Sequence, residues 1–220
     1  MFRYGLLLVA LVAVLATLGG CSLVPGMGGG ASGTLVFDGA TEHGIALGEA
    51  IPGSNIRFVG YSERGAEVLI NDQRAVKKVG DSLNWKGTVA PGVDVSMPLR
   101  IVLASETKLQ TVGTVRITVR NANPTPAGLP GSAPYNYKVA TGYTVKKGDS
   151  VPGTTLRFIG KTDEGAQFEG TGDYPYRRVG DSVAWRGSLT DRTFLDTTLR
   201  VVAYTEDIVT LAGLASIAVQ

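Results

Sequence analysis

From Thr34 to Gln220, apolar and polar residues repeatedly alternate with a spacing of two. Leu83, Trp85, Gly87 and Val89 are interleaved with Asn84, Lys86 and Thr88, and Val115, Ile117 and Val119 with Arg116, Thr118 and Arg120. Ile56 and Phe58 flank Arg57 in the same way. A period of two places one face of a strand in a core and the other in water. Ser62-Glu63-Arg64-Gly65 and the Gly-Asp-Ser triplets at 80–82 and 180–182 punctuate these runs with turn-forming residues. No long helical periodicity follows Leu18. The pattern predicts an all-β chain of antiparallel strands, about seven short ones in each half. A β-sandwich is the expected architecture and a small β-barrel the alternative.

The halves are copies of each other. Shifting the chain by 100 residues aligns it with itself without a gap. Ile51-Pro52-Gly53 falls on Val151-Pro152-Gly153, and Val79-Gly80-Asp81-Ser82 on Val179-Gly180-Asp181-Ser182. Trp85, Gly87, Leu99, Arg100, Glu106 and Gly113 meet identical residues. About a quarter of positions 34–120 are identical to their counterparts, which marks an internal duplication. Two copies are too few for a solenoid, so each is expected to be a domain with its own core, residues 34–121 and 135–220. Trp85 and Trp185 are the expected core anchors. The intervening stretch, 122–134, is rich in proline and uncharged, and reads as a semi-rigid linker.

The N-terminus has a different pattern. Arg3 is followed by 14 apolar or small residues, Gly5 to Leu18, and then by Gly19-Gly20-Cys21. A basic start, a short apolar run and small residues at a cleavage point make a secretory signal over residues 1–20. The run is shorter than the roughly 20 residues a spanning helix needs. Leu18-Gly19-Gly20-Cys21 resembles the lipobox of bacterial lipoproteins. That resemblance implies cleavage between Gly20 and Cys21 and a diacylglycerol on the Cys21 thiol. Membrane lipid held through Cys21 would then be the first partner, since each buried CH₂ contributes roughly 0.8 kcal/mol. Residues 21–33, glycine-rich and uncharged, are expected to form a flexible tether. The expected location is the cell envelope, outside the cytoplasmic membrane. In a host with two membranes, Ser22 after the cysteine resembles outer-membrane sorting; in a host with one, the protein would lie on its outer face.

Composition narrows the chemistry. Loss of residues 1–20 removes one cation, Arg3, leaving 20 Lys+Arg against 19 Asp+Glu, so no nucleic-acid partner is expected. With Cys21 given to lipid, no disulfide is available. Thirty glycines, about twice the usual share, fit many tight turns. His43 is the single histidine, so the usual His/Cys zinc sets cannot be assembled and no metal site is expected. No nucleophile elbow, Walker sequence or calcium loop occurs. Asp81 and Asp181 are expected to close turns by accepting backbone N–H bonds. No cofactor beyond the acyl groups on Cys21, and no enzymatic activity, is expected.

Tyr143-Thr144-Val145-Lys146-Lys147-Gly148-Asp149-Ser150-Val151 resembles the opening of a LysM domain, which implies peptidoglycan binding and a following helix. Pro152-Gly153 instead predicts a turn and another strand. The most divergent segment between the copies is more informative. Residues 68–78 and 168–178 differ while their flanks match, and variable loops on a β scaffold often carry binding. Lys77 and Lys78 in the first copy, and Tyr174, Tyr176, Arg177 and Arg178 in the second, are therefore the candidate binding residues; simple packing across a turn is the competing reading. The expected function is that of a non-catalytic envelope lipoprotein, an accessory subunit or protein-interaction scaffold with an envelope protein as partner. Binding of carbohydrate or cell-wall glycan is the alternative.

Overall fold

The computed structural model describes residues 33–220. The expected signal peptide, the expected Gly20–Cys21 cleavage site and the expected tether up to residue 32 lie outside the described residues. The described residues are all-β and every strand pairing among them is antiparallel.

In the first copy, β1 (Gly33–Ala46), β5 (Ser82–Ala90), β6 (Val93–Ala104) and β7 (Lys108–Ala122) form a sheet in the order β1-β7-β6-β5. The strands β2 (Ile56–Ser62), β3 (Gly65–Ile70) and β4 (Gln73–Lys77) form a smaller meander. The second copy repeats the plan. Its large sheet contains β9 (Tyr135–Lys146), β13 (Ser182–Thr190), β14 (Thr193–Tyr204) and β15 (Ile208–Val219). Its meander contains β10 (Arg157–Thr162), β11 (Gly165–Glu169) and β12 (Tyr176–Arg177). Among the described residues no sheet closes on itself, so the architecture is sandwich-like rather than a barrel.

The alternation read from the sequence is the alternation of burial. Ile56 and Phe58 are buried on either side of exposed Arg57, and Val115, Ile117 and Val119 are fully inaccessible. The duplication extends to irregularities of register. Bulges fall at Phe58–Gly60 and Phe158–Gly160, at Thr88–Ala90 and Ser188–Thr190, and at Ile101–Leu103 and Val201–Ala203. A bulge bends its strand and sharpens its twist, so both copies bend at the same places. The stretch that resembles a LysM opening runs from the end of β9 through a turn at residues 147–148 to Val151, and β10 follows with no helix between.

Two features depart from the sequence reading. Residues 122–134 are not simply a spacer, because Thr125–Pro126 forms a short strand, β8, on the outer edge of β13. The cores also merge: the buried side chains of both copies belong to one cluster. The junction is a face-to-face crossing of β1 and β9. At Gly39 a Cβ would run into the Ala140 carbonyl and the Val139 side chain, so only glycine permits this approach. Each copy then inserts an aromatic against the other's Pro-Gly turn. Tyr137 lies over Gly53 and donates its hydroxyl to the Pro52 carbonyl at 3.2 Å, while Phe37 lies against Gly153. Both turn glycines have positive φ, 76° and 78°. The repeated Pro-Gly is therefore the receptor for the other copy's aromatic.

The tryptophans divide. Trp185 is 6% exposed and its indole N–H donates to the Thr155 hydroxyl at 2.9 Å. Trp85 is only partly buried, at the rim of the cluster. In both copies the indole lies where a Cβ on the glycine two residues later would sit, Gly87 or Gly187.

These contacts set two outcomes for equilibrium denaturation. Gly39→Val should destabilise the chain by about 1–3 kcal/mol through overpacking, whereas Gly128→Ala, which meets open space, should leave the midpoint unchanged. Trp185→Ala should cost about 3–5 kcal/mol, and Trp85→Ala clearly less. Equal losses at both tryptophans would contradict the rim position of Trp85.

Candidate functional site

The divergent segment of the second copy folds into a closed loop between β11 and β13. Arg177 is its strut. Its Nε donates to the Ser182 carbonyl at 2.9 Å, and its guanidinium also reaches the carbonyls of Tyr174 and Tyr176 and, at 2.8 Å, the Asp173 carboxylate. Its side chain is 13% exposed. A guanidinium spent on four local acceptors holds a loop in shape and has little left for a ligand.

The tyrosines are more available. Tyr174 is 60% exposed and meets Tyr176 edge-on, with ring centroids 5.3 Å apart. The Tyr174 hydroxyl donates to the Glu164 carboxylate at 2.6 Å, and this bond raises its pKa above the usual tyrosine value. Arg178 is exposed. Its backbone N–H donates to Asp181 at 2.7 Å, while its guanidinium leans on the Glu164 carbonyl.

In the first copy the equivalent segment is a regular hairpin, β3–β4, turning at Asn71-Asp72, where both residues have positive φ. Lys77 and Lys78 leave β4 and line an open depression of about 160 Å³ with Tyr61, Glu63, Arg64 and Val79. The basic pairs of the two copies thus border separate loops, each anchored by its own turn. The repeated aspartates do what their position predicts. Asp81 accepts the Lys78 N–H at 2.8 Å as Asp181 accepts that of Arg178. Arg100 and Arg200 then tie the same turns down by donating to the Gly80 and Gly180 carbonyls, at 3.0 and 2.9 Å.

A feature the sequence alone did not disclose is that this turn presents an exposed valine in both copies. Val79 and Val179 are 61% and 63% exposed, directly after the basic pairs. On the adjoining strands Val102 and Val202 are 45% and 51% exposed. The signal was present as Lys-Lys-Val-Gly-Asp and Arg-Arg-Val-Gly-Asp, but a valine between charged residues looks like any strand position until the turn is known. A second open depression, about 480 Å³, lies where the copies meet, lined among others by Pro91, Arg120 and Asn121 from one copy and Leu189 and Asp191 from the other. Arg120 is engaged there by Asp94, whose pKa is lowered first by a hydrogen bond from the Thr88 hydroxyl at 2.7 Å and also by Arg120.

Among the described residues no three His, Cys, Asp or Glu side chains gather where a metal could bind. His43, on β1, has a buried Nε2 with no hydrogen-bond partner, and burial lowers its pKa below 6.5 despite Glu42 beside it. The folded chain therefore resists protonation that the unfolded chain accepts. Its contribution to stability is complete above pH 6.5 and is lost as pH falls through that value and towards the lowered folded pKa. His43→Tyr, the residue of the other copy, should flatten this part of the pH–stability curve. A difference between the two proteins that stays constant from pH 8 to pH 5 would show that His43 carries no such linkage.

Compared with protein-family models, with curated proteins and with solved structures, the chain matches none.

Proposed function

We propose that the chain is a lipid-tethered, extracytoplasmic protein of the cell envelope without catalytic activity, acting as an accessory subunit or protein-interaction scaffold. The observation that carries this reading is the repeated exposed patch, in which Val79 with Lys78 and Val179 with Arg178 recur at equivalent turns. Apolar tips beside cations, held on turns braced by Asp81–Arg100 and Asp181–Arg200, are suited to docking against a protein surface. The seam between β1 and β9 supports the same reading, because it fixes the two patches in one body. The lipobox-like Leu18-Gly19-Gly20-Cys21 supplies the tether.

The exposed ring of Tyr174 favours the second reading, glycan binding, because a sugar can stack on such a face. Crosslinking and mass spectrometry on native membranes separates the two. One partner recovered stoichiometrically through residues near Val79 or Val179 supports the scaffold. Recovery of the protein alone overturns it, and a peptidoglycan pull-down lost in Tyr174→Ala would then establish the second reading. For the anchor, the unaltered protein should incorporate labelled palmitate and partition into detergent, and Cys21→Ser should do neither. Labelling that survives Cys21→Ser would rule out lipidation at this cysteine.

A further inference from the structure

Among the described residues the two copies differ at one sheet edge. In the second, the outer edge of β13 is covered by β8: Pro126 pairs with Gly187 and Thr125 with Ser188. The Asn123 N–H donates to the Leu189 carbonyl at 2.8 Å and that of Ala127 to the Arg186 carbonyl at 3.4 Å. In the first copy, β5 is the last strand of its sheet, and no described residue pairs with its outer edge. The consequence appears in burial. Gly187, Leu189 and Trp185 are buried, whereas Gly87, Val89 and Trp85 at the equivalent positions are only partly so. Among the described residues nothing pairs with the outward backbone groups of Lys86–Val89, in the register that β8 fills in the other copy. An exposed strand edge is a template for another strand.

From this asymmetry we infer that the free edge of β5 is an acceptor for an extended segment of a partner protein, added antiparallel beside Lys86–Val89. The inference rests on the scaffold reading and gives it a second docking element. The occupant of the equivalent edge defines the chemistry that fits. It is an extended backbone with small residues, and it tolerates proline opposite the glycine. In an antiparallel ladder, bonded pairs alternate with non-bonded ones. The bond from Ala127 to Arg186 therefore puts Pro126 in a non-bonded pair, where its missing N–H costs nothing. The same shift of 100 residues would set Pro25 opposite Thr88, the position whose N–H the ladder uses. The chain's own preceding stretch is thus poorly matched to this edge, and a segment supplied in trans fits better. Strand addition of this kind takes affinity from main-chain bonds and specificity from alternate side chains. Here those side chains would cover Trp85 and Val89.

The test is amide exchange read by NMR on the full chain, comparing Thr88 with Ser188. The probe is a synthetic peptide with the sequence of Ala122–Leu129, the segment seen on the matching edge. Thr88 should exchange at least tenfold faster than Ser188 in the chain alone, at every protein concentration. Millimolar peptide should slow Thr88 and shift the Trp85 indole resonance. A peptide carrying Thr125→Pro, which loses the bonded N–H, should do neither. Three results would overturn the inference. Thr88 as slow as Ser188 in the chain alone would mean that the chain covers its own edge. Protection that grows with protein concentration would assign the edge to a second copy. Indifference to both peptides would mean that the edge accepts no strand. None of these would remove a partner already found by membrane crosslinking through the valine turns, so the two readings fail separately.

Discussion

The crossing of β1 over β9 is the contact on which the rest of the molecule depends. It requires a residue without a side chain at Gly39, because the Ala140 carbonyl occupies the space a Cβ would take. Once the strands touch, Phe37 and Tyr137 reach the Pro-Gly turns of the opposite copies, and the buried side chains join into one cluster. Neither sheet need cover its own face entirely, since each is covered in part by its duplicate. For a chain with no disulfide among its described residues, packing supplies the stability, and one joint core buries more of the chain than two small ones would.

The residues repeated between the copies sort into two groups by what they touch. Trp85 and Trp185, each with the glycine two positions on, shape the inner face of one strand. Asp81 with Arg100, and Asp181 with Arg200, shape the turn that carries the exposed valines. The differences are equally physical. Thr155 accepts the Trp185 indole, while its counterpart Asn55 bonds to Asn71 across the β2–β3 pair. Arg177 is locked into the irregular loop of the second copy, while Lys77 and Lys78 leave a regular hairpin. One scaffold thus offers two unlike surfaces and, among the described residues, one unpaired edge.

The strands were legible in the sequence because burial on one face imposes a period of two, and that period is written in residues such as Ile56-Arg57-Phe58. The all-β class and the turn role of Asp81 and Asp181 were legible for the same reason, since each depends on neighbours a few residues away, and the duplication was legible because the chain matches itself at a shift of 100 residues. Tyr174, Tyr176, Arg177, Arg178, Lys77 and Lys78 could be picked out as a variable segment. Whether a side chain there is a strut or free to bind depends on acceptors such as the Ser182 carbonyl and the Glu164 carboxylate, which the fold has to bring within reach.

The sequence by itself determined the repeat, the strand pattern and the positions of the turns, because local alternation and glycine or aspartate placement suffice for these. Tertiary structure alone decided that the copies share a core, that Trp185 is interior while Trp85 is at the rim, and that the linker covers one edge while no described residue pairs with its twin. Those outcomes rest on contacts between residues about a hundred positions apart, such as Gly39 with Ala140 and Pro52 with Tyr137, or on a strand pairing such as Thr125 with Ser188. No local pattern encodes which of two similar strands a distant segment will reach.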